Sequence, residues 1–200
     1  VGDPLFFEGM QTYGDLYRFE SAVTDDFKNV MEDISGIDLD AFFERWIYGH
    51  YYPIYESTPQ YYSSTNGSYY LEATVSQNQT SPLFSMPIDI QIEMASETVV
   101  HQVENSQSQQ EYTFILDELP QSVIIDPDEW ILKEVTHHNP SYVGNVLAGD
   151  LNQDSALDVL DVVQGVNLIL GSNQEYFQIW IFDMNSDGSG DVLDIVQIVS

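Results

Sequence analysis

The chain has 200 residues, 43% hydrophobic and 13% aromatic, with no cysteine and no run of eighteen apolar residues. That composition excludes wholesale disorder, a disulfide framework and a membrane-spanning helix. Thirty-three acidic residues face four basic ones, Arg18, Lys28, Arg45 and Lys133, and the formal charge of −29 excludes nucleic acid and anionic lipid as main partners while favouring cations.

Residues 1–49 read as helices. Phe6, Met10, Tyr13 and Tyr17 share one face of a first helix. Thr24 is placed to cap a second, with Asp25 and Asp26 in its first turn. Its buried face is Phe27, Val30, Met31 and Ile34, and Gly36 is its stop signal. Asp38 is placed to cap a third helix that buries Leu39, Phe42, Phe43 and Trp46 and ends at Gly49.

Residues 50–136 read as about seven short strands. Tyr69, Leu71, Ala73 and Val75 alternate with Tyr70, Glu72 and Thr74; Ile88, Ile90, Ile92 and Met94 alternate with Asp89, Gln91 and Glu93. A period of two marks half-buried antiparallel strands, and polar turn clusters separate them, so a β-sandwich of fibronectin III-like kind is expected. Residues 137–147, with Asn139, Pro140 and Gly144, read as a linker.

Residues 148–200 contain a repeat. Asp158-Val-Leu-Asp-Val-Val-Gln164 returns 33 residues later as Asp191-Val-Leu-Asp-Ile-Val-Gln197. Ahead of each copy stands an Asp-rich loop. Asp150, Asn152, Asp154, Asp158 and Asp161 occupy positions 1, 3, 5, 9 and 12 of the first; Asp183, Asn185, Asp187, Asp191 and Asp194 occupy the same positions of the second. This is calcium chemistry: six to eight hard oxygens, with position 7 lending a backbone carbonyl (Ala156 or Ser189) and position 12 a bidentate carboxylate. A polar turn with helix-capping aspartates is the plainer alternative, and a single loop would not separate the two. Eight Asp lie between Asp150 and Asp194 with no Lys or Arg among them, so two calcium ions are expected to be needed for folding as well as bound.

These loops resemble the type I dockerins, relatives of half an EF-hand that carry Asp at position 12. The resemblance covers about 50 residues, with two departures: position 6 is Ser155 in the first loop, and position 8 is Gly190 in the second. It implies a cohesin domain as partner. Val159, Leu160, Val192 and Leu193, at loop positions 10 and 11, are then the residues that meet it. The competing reading is that these apolar residues pack the two helices together; it differs in leaving Leu160 and Leu193 buried.

A second resemblance lies upstream. Ile34-Ser-Gly-Ile-Asp-Leu39 and Phe42-Phe-Glu-Arg-Trp-Ile-Tyr-Gly49 look like the closing helices of the catalytic domain in the aminopeptidase N family, which are zinc gluzincins. Tyr52-Pro53 and Ile125-Asp-Pro-Asp-Glu-Trp130 are similar to the β-sandwich that follows there. The family's H-E-x-x-H zinc motif is absent from this chain, and its four histidines, His50, His101, His137 and His138, do not replace it. No catalytic residue is assigned, and zinc is expected only in a parent catalytic domain outside this chain.

The sequence therefore reads as a multi-domain chain: helices at 1–49, an antiparallel sandwich at 50–136, a linker at 137–147 and a small all-α dockerin at 148–200. Its expected role is calcium-dependent attachment at the C-terminus of a secreted bacterial metallopeptidase, extracellular or at the cell surface. No signal-peptide pattern is visible, and the absence of an initiating methionine fits a fragment. Two alternatives stand beside this reading. One is a calcium-stabilised cap with no outside partner. The other is an independent enzyme acting on glycans, for which the aromatics Tyr51, Tyr52, Tyr55, Tyr61, Tyr62, Tyr69 and Tyr70 offer rings to stack on sugars; the plainer account of those tyrosines is a tyrosine-rich sandwich with amphipathic strand residues.

Overall fold

The computed structural model describes residues 1–171 and 175–199, so Ser200, where the calcium module was expected to end, lies outside the described residues. The chain divides into two compact units, Val1–Tyr51 and Tyr52–Ser200.

The first unit holds α1 (Asp3–Tyr17), α2 (Thr24–Ser35) and α3 (Asp40–Trp46). The start of α2 is closed by Asp26, whose carboxylate accepts the Val23 N–H at 2.8 Å, one residue earlier than the cap expected at Thr24. Gly36 ends α2 in the left-handed region at φ 69°, and its N–H donates to the Glu32 carbonyl. Glycine enters that region without a side-chain penalty. Asp38 accepts the Asp40 N–H at 2.9 Å and starts α3. Val30, Met31 and Phe43 form the buried centre, with Phe27 between Tyr13 and Phe43.

The second unit begins with two sheets. β1 (Ile54–Ser64), β2 (Tyr69–Gln77) and β5 (Gln109–Leu116) belong to one; β3 (Met86–Glu93), β4 (Thr98–Asn105) and β6 (Ser122–Ile125) form the other, in the order β4-β3-β6. Alternation does what it promised in the central strands. Leu71, Ala73 and Val75 from β2 meet Ile88, Ile90 and Ile92 from β3 in one core, closed by Tyr55, Val123 and Ile125.

The expected fold class needs correction in two respects. First, the sandwich is not purely antiparallel. β7 (Glu134–His137) and β8 (Ser141–Val146) both run parallel to β1, along its free edge. β8 lies within the segment expected as a linker, where Tyr142 and Val143 supply strand-forming residues between Pro140 and Gly144. Secondly, the described residues form no separate all-α dockerin domain. The C-terminal helices α4 (Val159–Leu170), α5 (Tyr176–Phe182) and α6 (Val192–Ile198) belong to the same compact unit as the sheets. The physical reason is a second core: Tyr70, on the face of β2 that alternation assigns to solvent, is buried with Trp180 and Ile181, flanked by Tyr62, Leu151 and Phe177. Aromatic burial of this size outweighs the separation of a short polar loop from its neighbour.

Candidate metal centre

The two Asp-rich loops fold alike. In the first, Asp150 accepts the N–H groups of Asp154 (3.1 Å) and Ser155 (2.8 Å), while Asp161 reaches back to accept those of Asn152 (3.3 Å) and Asp158 (2.9 Å). In the second, Asp183 accepts from Asp187 (3.1 Å) and Gly188 (2.8 Å), and Asp194 accepts from Met184 (3.0 Å), Asn185 (3.4 Å) and Asp191 (2.8 Å). Asn152 and Asn185 each donate from Nδ2 to the carboxylate two residues on, at 2.9 Å in both loops. Ala156 and Ser189 occupy matching places, each donating its N–H to that same carboxylate at 2.9 Å. Sequence matching 33 residues apart thus becomes matching geometry.

Tight curvature comes from left-handed residues at positions 4 and 6: Gln153 (φ 57°) and Ser155 (φ 70°) in the first loop, Ser186 (φ 58°) and Gly188 (φ 82°) in the second. Serine at position 6 adopts the bend that glycine makes without strain. Position 9 caps the following helix: Asp158 accepts the Leu160 N–H and Asp191 the Leu193 N–H, both at 2.7 Å.

Charge decides what such loops can hold. Asp161 and Asp194 are 0% exposed, and Asp150 and Asp183 are also buried. Among the described residues no ion pair is seen to reach any of the four; Lys28 pairs with Asp40, Lys133 with Asp126 and His138 with Glu56. Burial pushes the Asp183 carboxyl above its usual range, against the pull of the Gly188 and Asp187 N–H groups; the Asp194 and Asp187 charges add to the rise. The N–H donors compensate part of each charge, and a buried carboxylate without an opposite charge still carries a desolvation cost. A hard divalent cation is the compensation this donor set fits, because it accepts carboxylate, amide and carbonyl oxygens together.

Counting carboxylates alone, and among the described residues, oxygens from three side chains come within 4.8 Å of one another at Glu32, Asp38 and Asp40 and in neither loop. That cluster is already in use. Asp40 pairs with Lys28, Glu32 accepts the Leu39 N–H at 2.8 Å, and Asp38 caps α3. In the loops, the side-chain oxygens of Asn152 and Asn185 lie beside the carboxylates, accepting the Asp154 and Asp187 N–H groups at 2.9 Å, so the oxygens gathered there are of mixed kind.

The second loop has supports that no motif revealed. Trp180 donates from Nε1 to Ser68 Oγ at 2.8 Å; Ser68 donates to Asn66 Oδ1 at 2.8 Å; Asn66 donates from Nδ2 to the Asp183 carbonyl at 3.1 Å. Asn66 and Ser68 lie in the β1–β2 turn, more than a hundred residues from the loop they brace, and local spacing carries no signal of such a contact. Phe182, just before Asp183, is fully buried; a Cβ on Gly190 would lie 3.0 Å from its ring. Gly190, a departure from the usual apolar position 8, makes room for it.

Leu160 is 54% and Leu193 58% exposed, and Val159 and Val192 are exposed beside them, with Val163 and Val196 further along each helix. The histidines are dispersed. His50 lies against Tyr51 and His101 against Phe114; His137 Nε2 accepts the Ile125 N–H, and His138 pairs with Glu56.

The sequence matches no protein-family model, and no curated protein matches it. Among solved structures, the fold is similar to that of Legionella pneumophila aminopeptidase A in complex with aspartic acid, with a TM-score of 0.53 and 14% identity over the whole of this chain. The alignment covers 24% of that chain, so this sequence spans about a quarter of the aminopeptidase's length. At that identity the likeness is one of fold alone.

Proposed function

We propose that this chain is a non-catalytic C-terminal part of a secreted metallopeptidase, and that its two Asp-rich loops bind two calcium ions to hold a surface for docking a cohesin domain. The observation that carries the reading is the pair of matching loops, each with two buried carboxylates and, among the described residues, no ion pair to a basic side chain. Asp150, Asn152, Asp154, Asp158, Asp161 and a carbonyl of Ala156 hold one ion; Asp183, Asn185, Asp187, Asp191, Asp194 and a carbonyl of Ser189 hold the other. The peptidase assignment rests on the helix and strand motifs quoted above, together with the shared fold. Exposure of Val159, Leu160, Val192 and Leu193 supports a docking role for the two helix starts over a role as mutual packing.

A second reading has its own observation. The buried cluster of Tyr70, Trp180 and Ile181 fixes the loops to the sheet, as a calcium-stabilised cap of the peptidase would require. One set of measurements separates the two. Calorimetry should find two calcium ions per chain. A cohesin should then be retained in calcium and released by chelator, with Leu160→Asp and Leu193→Asp together abolishing retention. Two ions without capture of any cohesin leaves the cap; no calcium uptake ends both readings.

A further inference from the structure

We infer that Asn66, in the turn between β1 and β2, is a positioning residue for the second metal loop, so that metal binding there is coupled to the sheet. The inference rests on the calcium reading of the loops. Its own evidence is the continuous donor chain from Trp180 through Ser68 and Asn66 to the carbonyl of Asp183, the first ligand of that loop. Every step has the right polarity: indole N–H to hydroxyl, hydroxyl to amide oxygen, amide N–H to carbonyl. The Ser68 N–H also donates to Asn66 Oδ1 at 3.0 Å, so the amide orientation is set by two donors. Asn66 Nδ2 lies 3.5 Å from Ser186 Oγ as well, at the left-handed bend of the loop.

The first loop is braced differently. The same turn reaches it through Thr65, whose Oγ1 accepts the Ala148 N–H at 3.0 Å, two residues ahead of Asp150. Asn66 therefore acts on one loop and Thr65 near the other, which makes the effect of Asn66 selective. Groups that hold a ligand in place, without touching the metal, commonly alter metal affinity ten-fold or more.

The test uses the full chain with one loop disabled at a time and calcium as the probe. With Asp161→Ala present, only the second loop remains; adding Asn66→Ala should weaken calcium binding about ten-fold. With Asp194→Ala present, only the first loop remains; adding Asn66→Ala should leave its affinity within about two-fold of the starting value, since no Asn66 contact reaches it. Ser68→Ala, which leaves Asn66 in place but removes one of the two donors that orient it, should act in the same direction at the second loop and guards against misfolding of the first variant. Trp180, 2% exposed, is an independent reporter: in a Trp46→Phe, Trp130→Phe background its emission should shift on calcium addition, and Asn66→Ala should reduce the shift. Equal effects of Asn66→Ala on both loops, or none on either, overturn the inference while the calcium reading survives. Failure of the unaltered chain to bind calcium overturns the calcium reading itself, and the inference with it.

Discussion

Phe182 lies against Gly165 of α4 so closely that a Cβ at residue 165 would sit 2.4 Å from the ring. In a helix interior, replacing glycine by alanine ordinarily stabilises by about 0.5–1 kcal/mol. Here the ring is fully buried and cannot swing away, so Gly165→Ala should instead destabilise the chain by about 1–3 kcal/mol. Chemical denaturation of the two proteins in calcium measures the sign; a stabilised variant would show that the ring has room to move.

Asp161→Ala should reduce calcium stoichiometry from two to one, leaving uptake by the second loop. It also removes the acceptor for the Asn152 and Asp158 N–H groups, and loss of that cap should cost about 1 kcal/mol even in chelator. Calorimetry and melting in chelator report the two effects separately. Loss of both ions together would mean that neither loop binds without the other.

Lys133 and Asp126 form a buried pair at 2.6 Å, and the Ile131 and Trp130 N–H groups donate to the same carboxylate at 2.9 and 3.0 Å. Burial alone raises the Asp126 carboxyl, but Lys133 and these N–H donors more than offset it and hold it below its usual range. Its stabilising contribution is therefore present above the unfolded value of 3.8 and is lost as pH falls through the lower folded value. Lys133→Met strands the carboxylate and should cost about 3–5 kcal/mol. Adding Asp126→Asn should recover part of that loss, which paired denaturation curves would show.

His137 supplies a second pH dependence of known sign. Burial, helped by the nearby Lys133 charge, lowers its pKa below the ordinary 6.5, and its Nε2 accepts the Ile125 N–H, which requires the neutral ring. The unfolded chain thus binds the proton more readily. Stability should be full above about 6.5 and decline as pH falls from there toward the folded value. Melting temperatures between pH 8 and pH 5.5 should show this fall, and His137→Gln should flatten it; an unchanged profile in the variant would place the proton elsewhere.

Much of this was legible in local sequence. Gly36 ends α2 where a stop was expected, β2 and β3 alternate as their residues demanded, and the 33-residue repeat places both loops in the same register. Those features depend on neighbours within a turn or a strand. What the sequence concealed depends on distant partners. Tyr70 sits on the polar side of its own alternation, and nothing near it announces Trp180. Tyr142 and Val143 read as linker residues because a six-residue strand is recognised by the edge it joins, and that edge is more than seventy residues upstream. Gly190 looks like a flaw in its loop until Phe182 is seen above it.

The parallel pairing of β8 with β1 has an evolutionary consequence. A terminal tag joined by a slack tether can be exchanged between proteins by recombination, since both sides of the cut fold unaided. Here a cut ahead of residue 141 would strip Gln60–Ser64 of a hydrogen-bonded neighbour and leave a sticky edge on the donor protein. The transplanted piece would in turn carry an aromatic surface shaped for Tyr62 and Tyr70. Such a segment keeps its partners only when it moves together with the sheet it completes.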